Sequence, residues 1–176
     1  TATFSLTQNN SIFYAATNEG LKTANINASN LSNFSTWQNI SGSNGLSVGS
    51  ITNTIVCNNL IVVQKNDSLF IQNGNNWSLL YAENNWQIEN INSAEGKIFV
   101  AQRSTSGASR VLQLNINGTI EKKIAQPGII SFPKNATSSN GVIWIADYFG
   151  GLAKYTNSFQ QYIPNGPLGF ASGAML

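Results

Sequence analysis

Short apolar runs of four to six residues alternate with polar turns along the whole chain. No stretch of ten or more residues carries the i, i+3, i+4 spacing of a helix. The runs are rich in Ile, Val, Phe, Tyr and Trp, and Asn and Gly punctuate them. Such residues suit strands joined by tight turns. The pattern predicts an all-β chain.

The predicted strands fall into four units. The first holds 3–7, 12–16, 21–24 and, after a longer polar loop, 36–40. The second holds 50–56, 60–63, 68–71 and 77–81; its Asn73-Gly74 pair is a type I′ hairpin signal, because that turn needs positive φ at both central residues. The third holds 86–91, 98–101, 111–114 (after a loop over 103–110) and 119–124. The fourth begins near 129–132, passes through Asn140-Gly141 into the strand–turn–strand stretch 141–155, and closes on 159–163.

The second strands align on Ile12, Ile61, Ile98 and Ile143, spaced 49, 37 and 45 residues apart. Four short antiparallel strands per repeat of this length are the signature of a β-propeller blade. The near-continuous apolar character of the second strands fits burial on both faces, and Ala15, Ala101 and Ala146 fit a crowded position near the axis. The expected blades are 1–45, 46–83, 84–126 and 127–165, with 166–176 the start of a further blade. About four blades of this kind make a fragment of a larger propeller, not a closed four-bladed ring.

Composition narrows the chemistry. Charged residues are 9% of the 176, against roughly 25% in an average domain. A net charge of +2, with scattered Lys and Arg, gives no reason to expect nucleic acid as a partner. The lone Cys57, in the run Ile55-Val56-Cys57, reads as a small buried hydrophobe. There is no His, so zinc and haem sites lack ligands, and neither a metal nor a cofactor is expected. No run reaches the ~18 apolar residues of a membrane span. The opening Thr1-Ala2-Thr3-Phe4, strand-like and without Met, reads as the start of a mature or trimmed product. With the neutral, amide-rich surface it points to an extracytoplasmic location.

The seven acidic residues are Glu19, Asp67, Glu83, Glu89, Glu95, Glu121 and Asp147, and no two are close in sequence. They read as turn and surface positions. Gly150 and Gly151 read as turn residues with positive φ. Trp37, Trp77, Phe159 and Ile120 head the third strands, and Trp77 and Trp144 are expected to pack between blades. Aromatic platforms beside Asn and Gln suit sugar rings. The candidate ligand-binding residues are Trp86, which opens a strand, and Asp147, Tyr148 and Phe149, which lie at a strand-joining loop.

The stretch from Asn140 to Tyr155, with Gly141-Val142-Ile143-Trp144-Ile145-Ala146 and then Gly150-Gly151-Leu152 and Tyr155, resembles the two-component-regulator type propeller repeat. Phe159-Gln160-Gln161-Tyr162 and Asn165-Gly166-Pro167-Leu168 continue the match, and the first unit matches in part. The resemblance implies a ring of about seven blades, in one of two settings. One is an exported protein tied to type IX secretion, PorZ-like. The other is the periplasmic oligosaccharide sensor of a hybrid two-component system. It defines no catalytic residues. The reading is therefore a non-catalytic binding or scaffold propeller whose loop face contacts a partner protein or a surface polysaccharide. An oligosaccharide-sensing propeller is the first alternative and a propeller hydrolase or lyase the second. Open sheet edges would also permit self-association.

Overall fold

The computed structural model describes residues 1–163 and contains sixteen strands and one turn of 3-10 helix. The strands form four separate antiparallel sheets, each a meander in sequence order. The first sheet holds β1 (Thr3–Asn9), β2 (Ile12–Thr17), β3 (Gly20–Asn25) and β4 (Gln38–Asn39). The second holds β5 (Asn53–Cys57), β6 (Leu60–Lys65), β7 (Ser68–Asn73) and β8 (Asn76–Ala82). The third holds β9 (Trp86–Ala94), β10 (Lys97–Ser104), β11 (Ser109–Leu114) and β12 (Ile120–Ile124). The fourth holds β13 (Pro133–Ser139), β14 (Val142–Asp147), β15 (Gly151–Tyr155) and β16 (Phe159–Tyr162). The proposed further blade at 166–176 lies outside the described residues.

The first strands β1, β5, β9 and β13 contact one another in that order, and no comparable contact joins β1 to β13. The sheets therefore stack face to face in an open arc around their first strands, which is the arrangement of β-propeller blades. Three apolar cores fill the three sheet-to-sheet gaps. Ala16, Leu21, Ile61, Val63 and Trp77 meet between the first two sheets. Val62, Leu69, Ile91, Val100 and Leu112 meet between the middle two, with Cys57 among them. Phe99, Val111, Ala136, Ile143 and Ile145 meet between the last two. Each fully buried aliphatic side chain stabilises by about 1.5–3 kcal/mol.

Burial explains the apolar patterns. β6 and β10 are buried over four and five consecutive residues, because the middle sheets have neighbours on both sides. β14 alternates: Ile143, Ile145 and Asp147 are buried, whereas Ala146 is exposed. Ala101, at the equivalent place in the third sheet, is buried, and Ala146 is exposed on the side of the fourth sheet that no described sheet covers. The strands nearest the axis are the first strands, in which Ser, Thr and Asn are interspersed with apolar residues. Trp144 lies on the same outer face as Ala146, beside Tyr162 at 6.0 Å, at the place where Phe99 of the third sheet meets the fourth; no described sheet covers this face. Trp77 is buried between sheets as expected. The outer face of the first sheet is partly covered by the loop after β3, from which Trp37 stacks on Phe13 at 6.5 Å.

Several local expectations shift. The apolar residues 129–132 form a loop, and the polar segment Pro133–Ser139 is the strand. The innermost strand of the fourth sheet, β13, is mostly Ser, Thr and Asn, so hydrophobicity pointed to the wrong segment. The 103–110 loop shrinks to four residues, because Arg103 pairs with Ser109 across an extended hairpin. Ile12 opens its strand as Leu60, Lys97 and Val142 do, so Phe13 takes the place of Ile61, Ile98 and Ile143. Trp77, Phe159 and Ile120 sit on the fourth, outermost strands, and Trp37 just precedes one. Asn140-Gly141 has both φ values positive, as a type I′ turn requires. In the β7–β8 hairpin the central pair is instead Gly74-Asn75, with Gly74 alone at positive φ.

A repeated polar device ties the first strands together. Ser5, Asn53, Asn90 and Asn135 occupy equivalent places opposite Ala16, Gln64, Ala101 and Ala146. In β1, β9 and β13 a bulge precedes this place, at Phe4, Glu89 and Lys134. Each Asn accepts the N–H of the next residue through Oδ1, at 2.8, 2.9 and 2.8 Å. Its Nδ2 reaches onward: Asn53 donates to Asn90 Oδ1 at 2.5 Å, and Asn90 to the Lys134 carbonyl at 2.9 Å.

Candidate functional site

In a meander, the turns between first and second strands and between third and fourth strands share one end of the sheets. The second-to-third turns and the links between sheets share the other. All four sequence-selected residues, Trp86, Asp147, Tyr148 and Phe149, lie at this second end, here called the loop face. They form two groups.

The first group surrounds the β14–β15 turn. Asp147 ends β14 and is 6% exposed. Its Oδ2 accepts the N–H groups of Ser131 and Phe132 at 2.8 and 2.7 Å, and its Oδ1 those of Phe149 and Gly150 at 3.0 and 2.7 Å. One carboxylate thus clamps the β12–β13 loop to the β14–β15 turn. Thr17, the last residue of β2, and Gln102, within β10, hold the equivalent place in their second strands and are also buried and hydrogen-bonded. Asp147 is the acidic version of a shared position.

The clamp holds three aromatic rings together. Tyr148 and Phe149 are 51% and 62% exposed and meet edge to face at 5.0 Å. Phe132 lies 5.8 Å from Tyr148 and 6.2 Å from Phe149. Lys134 Nζ and the Arg103 guanidinium stand 3.4 and 4.1 Å from the Phe132 ring centre. Glu89 pairs with both cations, at 3.0 and 3.7 Å. Glu89 and Lys134 are the bulged residues of β9 and β13, so the bulges aim this ion pair at the patch. Arg103 Nε is buried without a hydrogen-bond partner among the described residues.

Gly150 owes its identity to close approach, and only Gly151 has positive φ, at 73°. A Cβ on Gly150 would lie 2.2 Å from the Ile129 carbonyl oxygen. Gly150→Ala is expected to force the two clamped loops apart and lower stability by about 1–3 kcal/mol. Urea denaturation checks this; an unchanged midpoint would refute the close-packing account.

The second group is built on Arg110, which opens the apolar part of β11 and is 1% exposed. Its guanidinium lies 3.5 Å from the centre of the Trp86 ring. Its Nε donates to Gln102 Oε1 at 3.0 Å, and its Nη2 to the Tyr81 hydroxyl at 3.2 Å and to Glu83 Oε2. The Arg110 hydrogen bond holds the Glu83 carboxyl below its usual range, against the opposing effect of partial burial. Burial, then hydrogen bonding to Glu83, pushes the Tyr81 phenol up to about 12. Gln102 Nε2 is buried with no partner among the described residues. In front of this network a crevice of about 290 Å³ opens between the second and third sheets. Asp67, Glu83, Asn85, Trp86, Gln87 and Thr105 line it. A larger hollow of about 340 Å³ lies elsewhere, on the outer face of the first sheet around Leu6, Ala15, Phe34 and Trp37.

The structure therefore brings Asp147, Tyr148 and Phe149 together and sets Trp86 in a separate crevice on the same face. Sequence reasoning missed Phe132, placed in a strand, and both arginines, placed in a loop. Arg103 and Arg110 are the only arginines in the chain, and they flank one hairpin; that was the available signal. Among the described residues no three His, Cys, Asp or Glu side chains group as metal ligands, and no helix is long and apolar enough to cross a membrane.

No protein-family model matches this chain, and no curated protein matches it. Solved structures do. The extracellular domain of a B. thetaiotaomicron hybrid two component system is 15% identical with a TM-score of 0.67, covering 94% of this chain and 22% of that one. PorZ, a bacterial surface component of the type-IX secretion system of Porphyromonas gingivalis, is 14% identical with a TM-score of 0.68, covering 94% and 21%. The N-terminal domain of Nup159 is 9% identical with a TM-score of 0.57, covering 90% and 42%. The chain spans less than a quarter of the two bacterial structures. At these identities the likeness is one of fold, and it runs to the propeller types that the Asn140–Tyr155 motif resembles.

Proposed function

We propose that this chain is part of an exported, extracytoplasmic propeller that binds without catalysing, through its loop face. The observation that carries the reading is the patch of Phe132, Tyr148 and Phe149, whose two exposed rings are held in place by the Asp147 clamp. Exposed aromatics on a rigid base are what recognition surfaces use. Both bacterial proteins with this fold act outside the cytoplasm, one as an extracellular domain and one at the cell surface. A partner protein or a surface polysaccharide fits the mixture of rings, two cations and one carboxylate. The acidic residues support a non-catalytic role. Each of the seven already has an oxygen engaged locally, by Lys22, Ile88 N–H, Arg110, Lys134, Asn140 N–H, Lys97 or the clamped backbone of the Asp147 loops.

The double variant Tyr148→Ser, Phe149→Ser is expected to fold with an unchanged unfolding midpoint. It should bind outer-membrane protein extracts or purified surface polysaccharide at least about tenfold more weakly than wild type. Surface plasmon resonance on both immobilised materials measures this. Equal binding by wild type and variant would overturn the assignment of the patch.

A further inference from the structure

The crevice before Arg110 lies at the loop-face mouth of a sheet-to-sheet gap, and its walls are mostly polar, with the Trp86 indole among them. Asp67 uses Oδ1 on the Ile88 N–H, and Glu83 uses Oε2 on Arg110 and Tyr81. Among the described residues the remaining oxygen of each carboxylate has no partner, nor do the side-chain amides of Asn85 and Gln87 or the Thr105 hydroxyl. All five border the crevice. Two carboxylate acceptors call for a ligand rich in donors, and they repel anions. The cation beneath them, Arg110, is already matched by Glu83. Lys123 is the next cation near the indole, 5.9 Å from its centre, and does not line the crevice. The volume sits at the low end for small-molecule sites, about 300 Å³, with room for one sugar ring and not for an extended chain.

We propose that this crevice binds one residue of a neutral saccharide. Hydroxyls donate to Asp67 Oδ2 and Glu83 Oε1, the amides of Asn85 and Gln87 complete the shell, and the Trp86 indole supplies the apolar wall. The four contacts on Arg110 hold Glu83 and Trp86 in place before the ligand arrives, so little ordering remains at binding. The inference builds on the loop-face reading, and adds a second position on that face and a ligand class.

The test is a nitrogen–proton correlation spectrum of the 176-residue chain, titrated with millimolar neutral hexose, pentose and N-acetylhexosamine oligosaccharides and, in parallel, with uronic-acid oligosaccharides. At least one neutral sugar is expected to shift the Trp86 indole signal and the amides of Asn85, Gln87 and Thr105. The variant Gln87→Ala, Thr105→Val should lose that response with its spectrum otherwise intact. Silence of these signals toward the neutral panel overturns the inference, as does a response to uronic acids alone. Shifts at Tyr148 and Phe149 with a silent crevice would overturn it while leaving the loop-face reading standing. Silence at both positions would leave that reading to its protein-partner arm.

Discussion

Glu83→Ala is expected to destabilise the protein by about 2–3 kcal/mol, and more than Arg110→Met does. The ordering follows from where each charge sits. Arg110 is almost wholly buried, and its partner side chain is 38% exposed. Removing Glu83 strands a guanidinium that water barely reaches, whereas removing Arg110 leaves a carboxylate that water can solvate. Breaking a fully buried pair costs about 3–5 kcal/mol, and the exposure of Glu83 reduces that figure. Methionine at 110 keeps the packing on Trp86. In a domain of this size the loss corresponds to roughly 5–10 °C in Tm. Equal losses for the two variants, read by chemical denaturation at neutral pH, would mean that Glu83 does not neutralise Arg110. The network also sets two pH limits. Glu83 has a lowered folded pKa, so its contribution is present above the ordinary carboxyl value, about 4.3, and is lost as pH falls through the folded value. Tyr81 has the opposite sense. Its neutral form is favoured, so that contribution holds below about 10 and is lost as pH rises toward about 12.

Asp147→Ala should cost about 3 kcal/mol. Four backbone N–H groups lose one shared anionic acceptor, and charge-assisted bonds contribute about 1.5–3 kcal/mol each before water replaces part of them. Asp147→Asn retains one acceptor oxygen and should lose about half as much. Amide hydrogen exchange locates the damage: Ser131, Phe132, Phe149 and Gly150 should lose protection while β10 and β11 keep theirs. Protection retained at those four amides would show that the clamp is not what orders the loops. The same variant should weaken loop-face binding, because it releases the base beneath the aromatic patch.

The architecture was readable because a blade repeats its turns. Two-residue turns such as Asn58-Asn59 and Asn140-Gly141 demand positive φ, and few residue types supply it. Positions facing the axis were not readable from apolar pattern. Pro133–Ser139 is a strand by virtue of its partner β14 and its bulge, and its sequence alone looks like a loop. The polar series was present all the same, eight residues before Phe13, Ile61, Ile98 and Ile143 as Ser5, Asn53, Asn90 and Asn135. It was hidden by aligning on Ile12 in place of Phe13. At the candidate site, Tyr148 and Phe149 stood out as a strand-joining aromatic pair. Arg110 did not, because a fully buried arginine is defined by its cross-strand neighbour Gln102 together with Tyr81 and Trp86, which lie 29 and 24 residues before it.

The asparagine series has a handedness of its own. Asn53 gives to Asn90 and Asn90 gives to the backbone of β13, each toward the later strand, whereas Ser5 both gives to the Thr54 carbonyl and accepts the Thr54 N–H. The array is therefore vectorial, like overlapping roof tiles: its leading edge presents the Asn135 amide as a giver, and its trailing edge presents Ser5. A blade added at the leading edge fits only if it offers an acceptor at that height. Blades exchanged between propellers of this type would be interchangeable only when they keep the same sense of donation, whatever their loops recognise.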